Sequence, residues 1–470
     1  MTRRPRTCWL PGAAIAAVLA TGVLEQPARS AHLARAVPFV PVVPFVPFVP
    51  DQASSWPQWG GPSRNFVVDP VPLATSWTTG GPVEAWRRPL GDGHSAIVME
   101  PGRLYTMYRP APSDAADGRP AASGPSAQRG RGSGAAWADR ETVIALDEAT
   151  GETMWEHTYP ARPLAFRFGA GPFATPLLVG DRLFTLGTNN QLFAFDKADG
   201  DVLWAHDLVA EFGAQETLIR PAVKAGMSCS PIAFGDTVIV TAGGPGQSVM
   251  AFDQATGEVR WRSGDFNVSQ ASPILIEVGG QPQLVVFGGM DVNGLDPATG
   301  ELLWSHPHDT SGDMNISTPV WGEDNLLFVS SAYDGGSRMI RVTSDDVDEL
   351  WFTNQLRLHI GNAIRLGDVV LGSNGDFGPS FVTALDVRTG RRLWQDRSFS
   401  RAQFVLAGDL LVVLDEDGVL GLARASREGF EVLARAEVLS SLAWTAPTLV
   451  GSSLYARDRR EVVKLALPVR

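Results

Sequence analysis

Lysine is nearly missing from this 470-residue chain: Lys197, Lys224 and Lys464 stand beside 36 arginines, and 39 basic against 51 acidic residues leave a formal charge of −12. That balance argues against a nucleic-acid partner, since phosphate binding needs a concentrated basic surface. Cysteine is just as scarce. Cys8 lies in a segment read as removed on export, and the one remaining thiol, Cys229, makes no internal disulfide and is expected to be a small packed residue. No Cys-x-x-Cys-His haem attachment occurs and no spacing resembles a zinc site; His306-Pro-His308 reads as a polar turn. Beyond the first thirty residues nothing approaches the roughly 20 uninterrupted apolar residues of a membrane span.

Glycine (49) and proline (34), by contrast, make about a sixth of the chain, as expected where many short strands need many turns. Residues 1–30 have a basic start (Arg3, Arg4, Arg6), an apolar run from Trp9 to Leu24, and small residues Ala28 and Ser30 at a cleavage point. This is a signal-peptide pattern, with an uncleaved N-terminal anchor as the alternative. Export to the periplasm or the exterior follows. A proline-rich spacer over 31–55 contains Pro38–Pro50, whose proline at every third position favours polyproline II and a stalk near a membrane. A second low-complexity stretch, 111–136, has almost nothing large and apolar to bury and is expected to be a disordered loop projecting from one blade.

The remainder repeats. Asp147, Asp196, Asp253, Asp296 and Asp386 are each followed by Gly four residues later and Trp eight residues later: Trp155, Trp204, Trp261, Trp304 and Trp394. Each unit is expected to be a hairpin, with Asp accepting backbone N–H bonds, Gly supplying the left-handed conformation, and Trp wedging one sheet against the next. Thr175-Pro, Ser230-Pro and Thr318-Pro introduce a second apolar pair split by a Gly-Asp or Glu-Asp turn. Four short strands per unit make a propeller blade. Eight blades are counted, near 95–155, 174–204, 230–261, 272–304, 318–351, 362–394, 402–434 and 446–468. The fifth keeps Trp351 without its Asp and Gly, and the seventh has no tryptophan. The eighth has room for three strands only, so the strand bearing Trp86 is expected to complete it and close the ring. The predicted fold is all-β: an eight-bladed propeller of four-stranded antiparallel blades spanning 56–470, closed by pairing of its N- and C-terminal strands.

The Asp-x-x-Thr-Gly-x-x-x-Trp unit, together with Trp56-Pro-Gln-Trp59-Gly-Gly-Pro62-Ser-Arg64-Asn65, resembles the pyrroloquinoline-quinone (PQQ) repeat family. The resemblance covers about 83–468 and implies the scaffold more than the chemistry. One branch of that family comprises quinoprotein dehydrogenases, which hold PQQ with Ca²⁺ on the propeller axis; the other includes the barrel-assembly lipoprotein, a cofactor-free binding scaffold. Met227-Ser-Cys229-Ser offers one thiol where many of the dehydrogenases have a vicinal pair, and the loops between blades are short. Cys8 is misplaced for a lipidated cysteine. A non-catalytic scaffold with a protein partner is therefore the leading expectation, and a PQQ-dependent oxidoreductase the alternative. Segments entering the innermost strands carry His94, Arg167, Lys224, Gln270, Asn315, His359, Asn362, Arg401 and Trp444, which are expected at one mouth of the channel. Asp313 is the nearby carboxylate nominated as general base or metal ligand. No metal-binding cluster is otherwise indicated.

Overall fold

The computed structural model describes residues 54–78, 80–111, 138–164, 169–216, 218, 225–322, 324–376 and 378–470. The signal-peptide reading, all of the spacer but Ser54 and Ser55, all of the low-complexity loop but Ala111, and both Arg167 and Lys224 lie outside them.

Eight sheets follow one another along the chain, six of them built of four consecutive antiparallel strands from axis to periphery, while the seventh and eighth each take one strand from the N-terminal segment. Blade three is representative: Ile232–Phe234, Thr237–Thr241, Val249–Asp253 and Val259–Ser263 pair in order. Its second and third strands are buried at every position, whereas the outermost strand has no fully buried residue. Inner strands are covered on both faces by neighbouring blades and so read as unbroken apolar runs; outer strands alternate. The core accordingly lies between blades. Phe184 and Leu186 of blade two pack with Val238, Val240 and Phe252 of blade three, and Val285 and Phe287 of blade four pack with Leu327, Val329 and Ile340 of blade five.

The repeated turn is specified locally, as its residues predict. Asp147 Oδ1 accepts from the backbone N–H of Ala149 (3.0 Å) and Thr150 (2.8 Å), and Asp253 and Asp386 repeat the pattern. The tryptophans are blade-to-blade wedges. Each indole N–H donates to the carbonyl one residue past the turn Asp of the following blade: Trp86 to Glu148 (3.0 Å), Trp155 to Lys197 (3.0 Å), Trp204 to Gln254 (3.1 Å), Trp261 to Pro297 (3.2 Å) and Trp351 to Val387 (2.8 Å). Trp394 donates to Ser426 of blade seven (2.8 Å).

The turn glycine has a second task that spacing did not reveal. At Gly200 (φ +82°) a Cβ would sit 2.5 Å from the Trp155 ring, and at Gly390 (φ +67°) 2.6 Å from Trp351. Glycine is thus required by both the left-handed backbone and the indole lying on it. Trp304 departs from the rule, because the turn it should meet in blade five has lost its Asp and Gly. Its N–H donates instead to Gln283 Oε1 (2.7 Å), and Gln283 Nε2 passes the contact on to the carbonyls of Thr343 (3.2 Å) and Ser344 (3.0 Å).

Closure occurs as the three-strand remnant implies: Val83–Pro89 pairs antiparallel with Glu461–Ala466 and becomes the outer strand of blade eight. Arg457 secures the same seam. It is fully buried and donates to the carbonyls of Ser95 (3.0 Å) and Met107 (2.8 Å) in blade one; burial lowers its pKa to about 10. One element was not anticipated. Val67–Val68 adds to the axial edge of blade seven as a parallel fifth strand beside Leu406 and Ala407, so that blade is not four-stranded. His306-Pro307-His308 also corrects the sequence reading. Pro307 ends an outer strand, while His308 is fully buried edge-on to Phe287 (4.9 Å), and burial lowers its pKa to about 3.

Candidate functional site

Where the innermost strands begin, the Ser/Thr-Pro dipeptides form lateral links around the axis. The Thr175 hydroxyl accepts from Ala96 N (3.1 Å), Ser230 from Thr175 N (3.0 Å), and Ser272 from Ser230 N (2.9 Å), each joining one blade to the next. Thr448 of blade eight, which follows its proline, adds a link to blade one by donating to the Ile97 carbonyl (2.6 Å). Outside blade seven the innermost strands pair with no further strand on their axial side, so these side chains satisfy N–H groups that face it, while the proline after Thr175, Ser230 and Ser272 presents none.

The lead segment Trp56–Phe66 lies across this ring. Trp56 exchanges two backbone hydrogen bonds with Met99 of blade one (2.8 Å each), Pro57 accepts from Leu178 of blade two (2.8 Å), and Trp59 Nε1 donates to Thr318 of blade five (2.8 Å). Arg64 reaches three carbonyls: Ser230 (2.7 Å) and Pro231 (3.0 Å) of blade three and Pro273 (2.6 Å) of blade four. Phe66 accepts from Leu406 of blade seven (2.8 Å). One eleven-residue stretch thereby ties together six blades. The guanidinium is almost fully buried and its neighbours in these bonds are neutral carbonyls, so desolvation lowers its pKa to about 9. The segment coils tightly to fit. Gly60 (φ +73°) is obligatory, since a Cβ there would lie 2.9 Å from the Arg64 backbone.

On the other side of Trp59 the channel opens as a funnel of about 140 Å³, walled by Trp59, His94, Phe173, Met314, Tyr333 and Trp444, with Ile316 and Ile360 between them. His94 is stacked between Phe173 (5.8 Å) and Trp444 (5.6 Å). The Tyr333 hydroxyl bonds His359 Nε2, and burial lowers the His359 pKa to about 4 while pushing that of Tyr333 up to about 12.

The structure brings His94, Gln270, His359 and Trp444 of the nominated residues into this wall. Others serve the scaffold. Asn315 Nδ2 donates to Gly288 (2.7 Å) and Gly289 (3.2 Å), and Asn362 joins blades six and seven by bonding both Phe404 N and O (2.8 Å each). Arg401 is paired with Glu416 (2.6 Å) and also donates to the Asp376 carbonyl. Asp313, buried with φ +58°, sits beside Asn267 and Ser269 outside the funnel lining. Cys229 packs as expected, its thiol donating to the Ser269 carbonyl (2.9 Å) and pushed up to about 11 by burial. Phe173, Tyr333, Met314 and the plugging role of Trp59 and Arg64 were not singled out from sequence. The lead segment carrying Trp56, Trp59 and Arg64 was read for its family resemblance alone, and its two tryptophans and lone arginine are the signal that could have marked the last two.

A tricyclic, carboxylate-bearing quinone with Ca²⁺ is poorly matched to these residues. Among the described residues the funnel lining contains no Asp, Glu, Lys or Arg, and no cluster of three His, Cys, Asp or Glu is placed to hold a metal ion. The volume is also below the roughly 300 Å³ at which pockets for larger organic ligands begin.

These features define a closed, eight-bladed propeller of the PQQ-like repeat class. The chain belongs to the family of the outer membrane protein assembly factor BamB, whose family model matches residues 139–396. BamB of Burkholderia pseudomallei (strain K96243) is 30% identical over 263 residues, covering 53% of this chain and 62% of that protein; the match thus spans less than two thirds of the relative. Among solved structures, BamB from Moraxella catarrhalis superposes with a TM-score of 0.55 at 17% identity, over 82% of this chain and 99% of that one. Quinohemoprotein alcohol dehydrogenase from Comamonas testosteroni gives 0.59 at 13% identity, over 89% and 81%. At such identities both likenesses speak to fold.

Proposed function

We propose that this protein is a non-catalytic scaffold in outer-membrane protein assembly, exported to the periplasm and bound to a protein partner. The observation that carries this reading is the occupied axis. The axis beneath the funnel is blocked by the chain's own Trp56–Phe66, and among the described residues the funnel lining carries no charged group to hold a quinone carboxylate or Ca²⁺. Family membership supplies the process, and the signal-peptide pattern and proline-rich spacer of residues 1–55 support the compartment.

Two measurements test it together. Deleting the encoding gene in the native host should lower the amount of folded β-barrel protein in the outer membrane, and the purified protein should show neither quinone binding nor dye-linked oxidation of alcohols or sugars with PQQ and Ca²⁺. Normal barrel content in the deletion strain, or PQQ-dependent turnover, would overturn the proposal.

A further inference from the structure

The funnel has properties that scaffolding of the ring does not require. Its walls are aromatic and aliphatic, its described lining carries no formally charged side chain, and polar groups come from Ser228, Gln270 and the Tyr333–His359 pair. Nearby charges are already engaged: Asp92 with Arg459 (2.5 and 2.8 Å) and Arg401 with Glu416 (2.6 Å). A charged occupant would therefore be desolvated with little described counter-charge, whereas a neutral ring would find stacking partners. At about 140 Å³ the space suits a single aromatic system.

The backbone around it is also strained. Tyr333 (φ +53°) and Asp334 (φ +68°) are consecutive non-glycine residues in the left-handed region, and Asp313 (φ +58°) is a third at the same mouth. Ser311 holds the Tyr333 loop by donating its N–H to the Tyr333 carbonyl (2.7 Å) and its hydroxyl to Asp334 (2.9 Å). Behind the loop, a Cβ at Gly335 would meet His308 Nε2 at 2.9 Å, so the backbone is pressed onto a buried imidazole. Strain of this kind concentrates where a side chain must be presented to a ligand, and here it directs the Tyr333 ring into the cavity.

We infer that the funnel receives one neutral aromatic side chain of the protein partner, stacked among Trp444, His94 and Phe173 on the Trp59 floor, beside the Tyr333–His359 pair. This rests on the scaffold reading and adds to it the part of the partner that is read. Aromatic anchors seated in rigid, desolvated pockets are the residues that dominate protein interfaces. The floor is rigid here because Trp59 is tied to Thr318 and followed by the buried Arg64.

The probe is N-acetyl-tryptophanamide, titrated into the full-length protein and followed by calorimetry and by chemical-shift changes. N-acetyl-leucinamide and the cationic N-acetyl-lysinamide serve as comparisons. Saturable binding of the tryptophan amide is expected, at least tenfold tighter than of the other two. Ile360→Trp and Met314→Trp fill the cavity from different blades; each should weaken binding at least tenfold while keeping the wild-type thermal transition. In the deletion host, a folded filling variant should restore less barrel protein than the wild type does. Absence of saturable binding, or binding unchanged in a folded filling variant, overturns the inference. Binding of the amide combined with full restoration by both variants also overturns it, since the site would then take free aromatic molecules. Normal barrel content in the deletion strain itself would instead overturn the scaffold reading, so the two failures are distinguishable.

Discussion

The tryptophan belt near the outer edge and the lead segment at the axis both hold blades together by donating N–H groups to backbone carbonyls, yet they distribute the task differently. In the belt, similar bonds of 2.8 to 3.2 Å recur around the ring, each joining two blades. At the axis one segment joins six blades, and one guanidinium serves three carbonyls. The belt is therefore tolerant of loss. Blade five shows it: its degenerate turn is bridged by Gln283 with no break in the ring. No comparable substitute stands beside Arg64 among the described residues.

That contrast can be broken experimentally. Deleting residues 77–90 removes the outer strand of blade eight together with Trp86, and should abolish the single cooperative unfolding transition; an unchanged melt would mean that Val83–Pro89 does not close the ring. Arg64→Ala should come next, at about 3 kcal/mol or more in urea unfolding, because three buried carbonyls lose a charged donor. Trp204→Phe, which removes the N–H together with the five-membered ring while keeping an aromatic face between the blades, should cost about 2 kcal/mol. Should the belt variant prove the costlier, the axis is not where stability is concentrated.

A glycine pair sharpens the account of the belt. Gly180 and Gly200 both have positive φ, but a Cβ at Gly180 meets nothing within 4 Å whereas one at Gly200 meets Trp155 at 2.5 Å. Gly180→Ala should cost about 1 kcal/mol from backbone strain, and Gly200→Ala at least about 1 kcal/mol more from the forced displacement of the indole. Equal losses would reduce the turn glycine to its conformational role.

Comparable to the loss at Gly180 is the effect of pH on the buried histidine beneath the mouth. His308 has a folded pKa near 3 against an ordinary value of 6.5, so between those values the unfolded chain binds a proton that the folded protein does not. Its contribution is present in full above pH 6.5 and is lost as pH falls toward 3; the loss should be about 1 kcal/mol between pH 6.5 and 5.5. Urea titrations at those two pH values measure it, and His308→Gln should flatten the slope. His359, lowered to about 4 by burial, acts in the same direction.

Legibility from sequence followed contact range. Blades, turns and wedges were visible because Asp, Gly and Trp act within nine residues or on the neighbouring repeat, whereas the Gln283 bridge that Trp304 uses at the degenerate turn of blade five was not expected. The mouth was legible only in part. Extended spacing gives the facing of a side chain but not its partner, so Asn315 and Asn362, nominated for the channel, prove to be bound to backbone groups of adjacent strands. Tyr333 escaped notice because its direction depends on two left-handed residues that no turn motif announces. His308 was misread because a His-x-His after a strand looks solvated until the neighbouring blade is placed against it.

The amino-acid sequence by itself determined the repeat, the blade count and the closure of the ring, since each is encoded by residues close in the chain or by a deficit at one end matched by a surplus at the other. Only the tertiary structure decided what occupies the centre. Arg64 and Trp59 lie 166 to 259 positions from the blade residues they bond, and whether their segment lines a channel or fills it depends on groups contributed by several separate blades. No local pattern carries that information, because it exists only once the ring has closed.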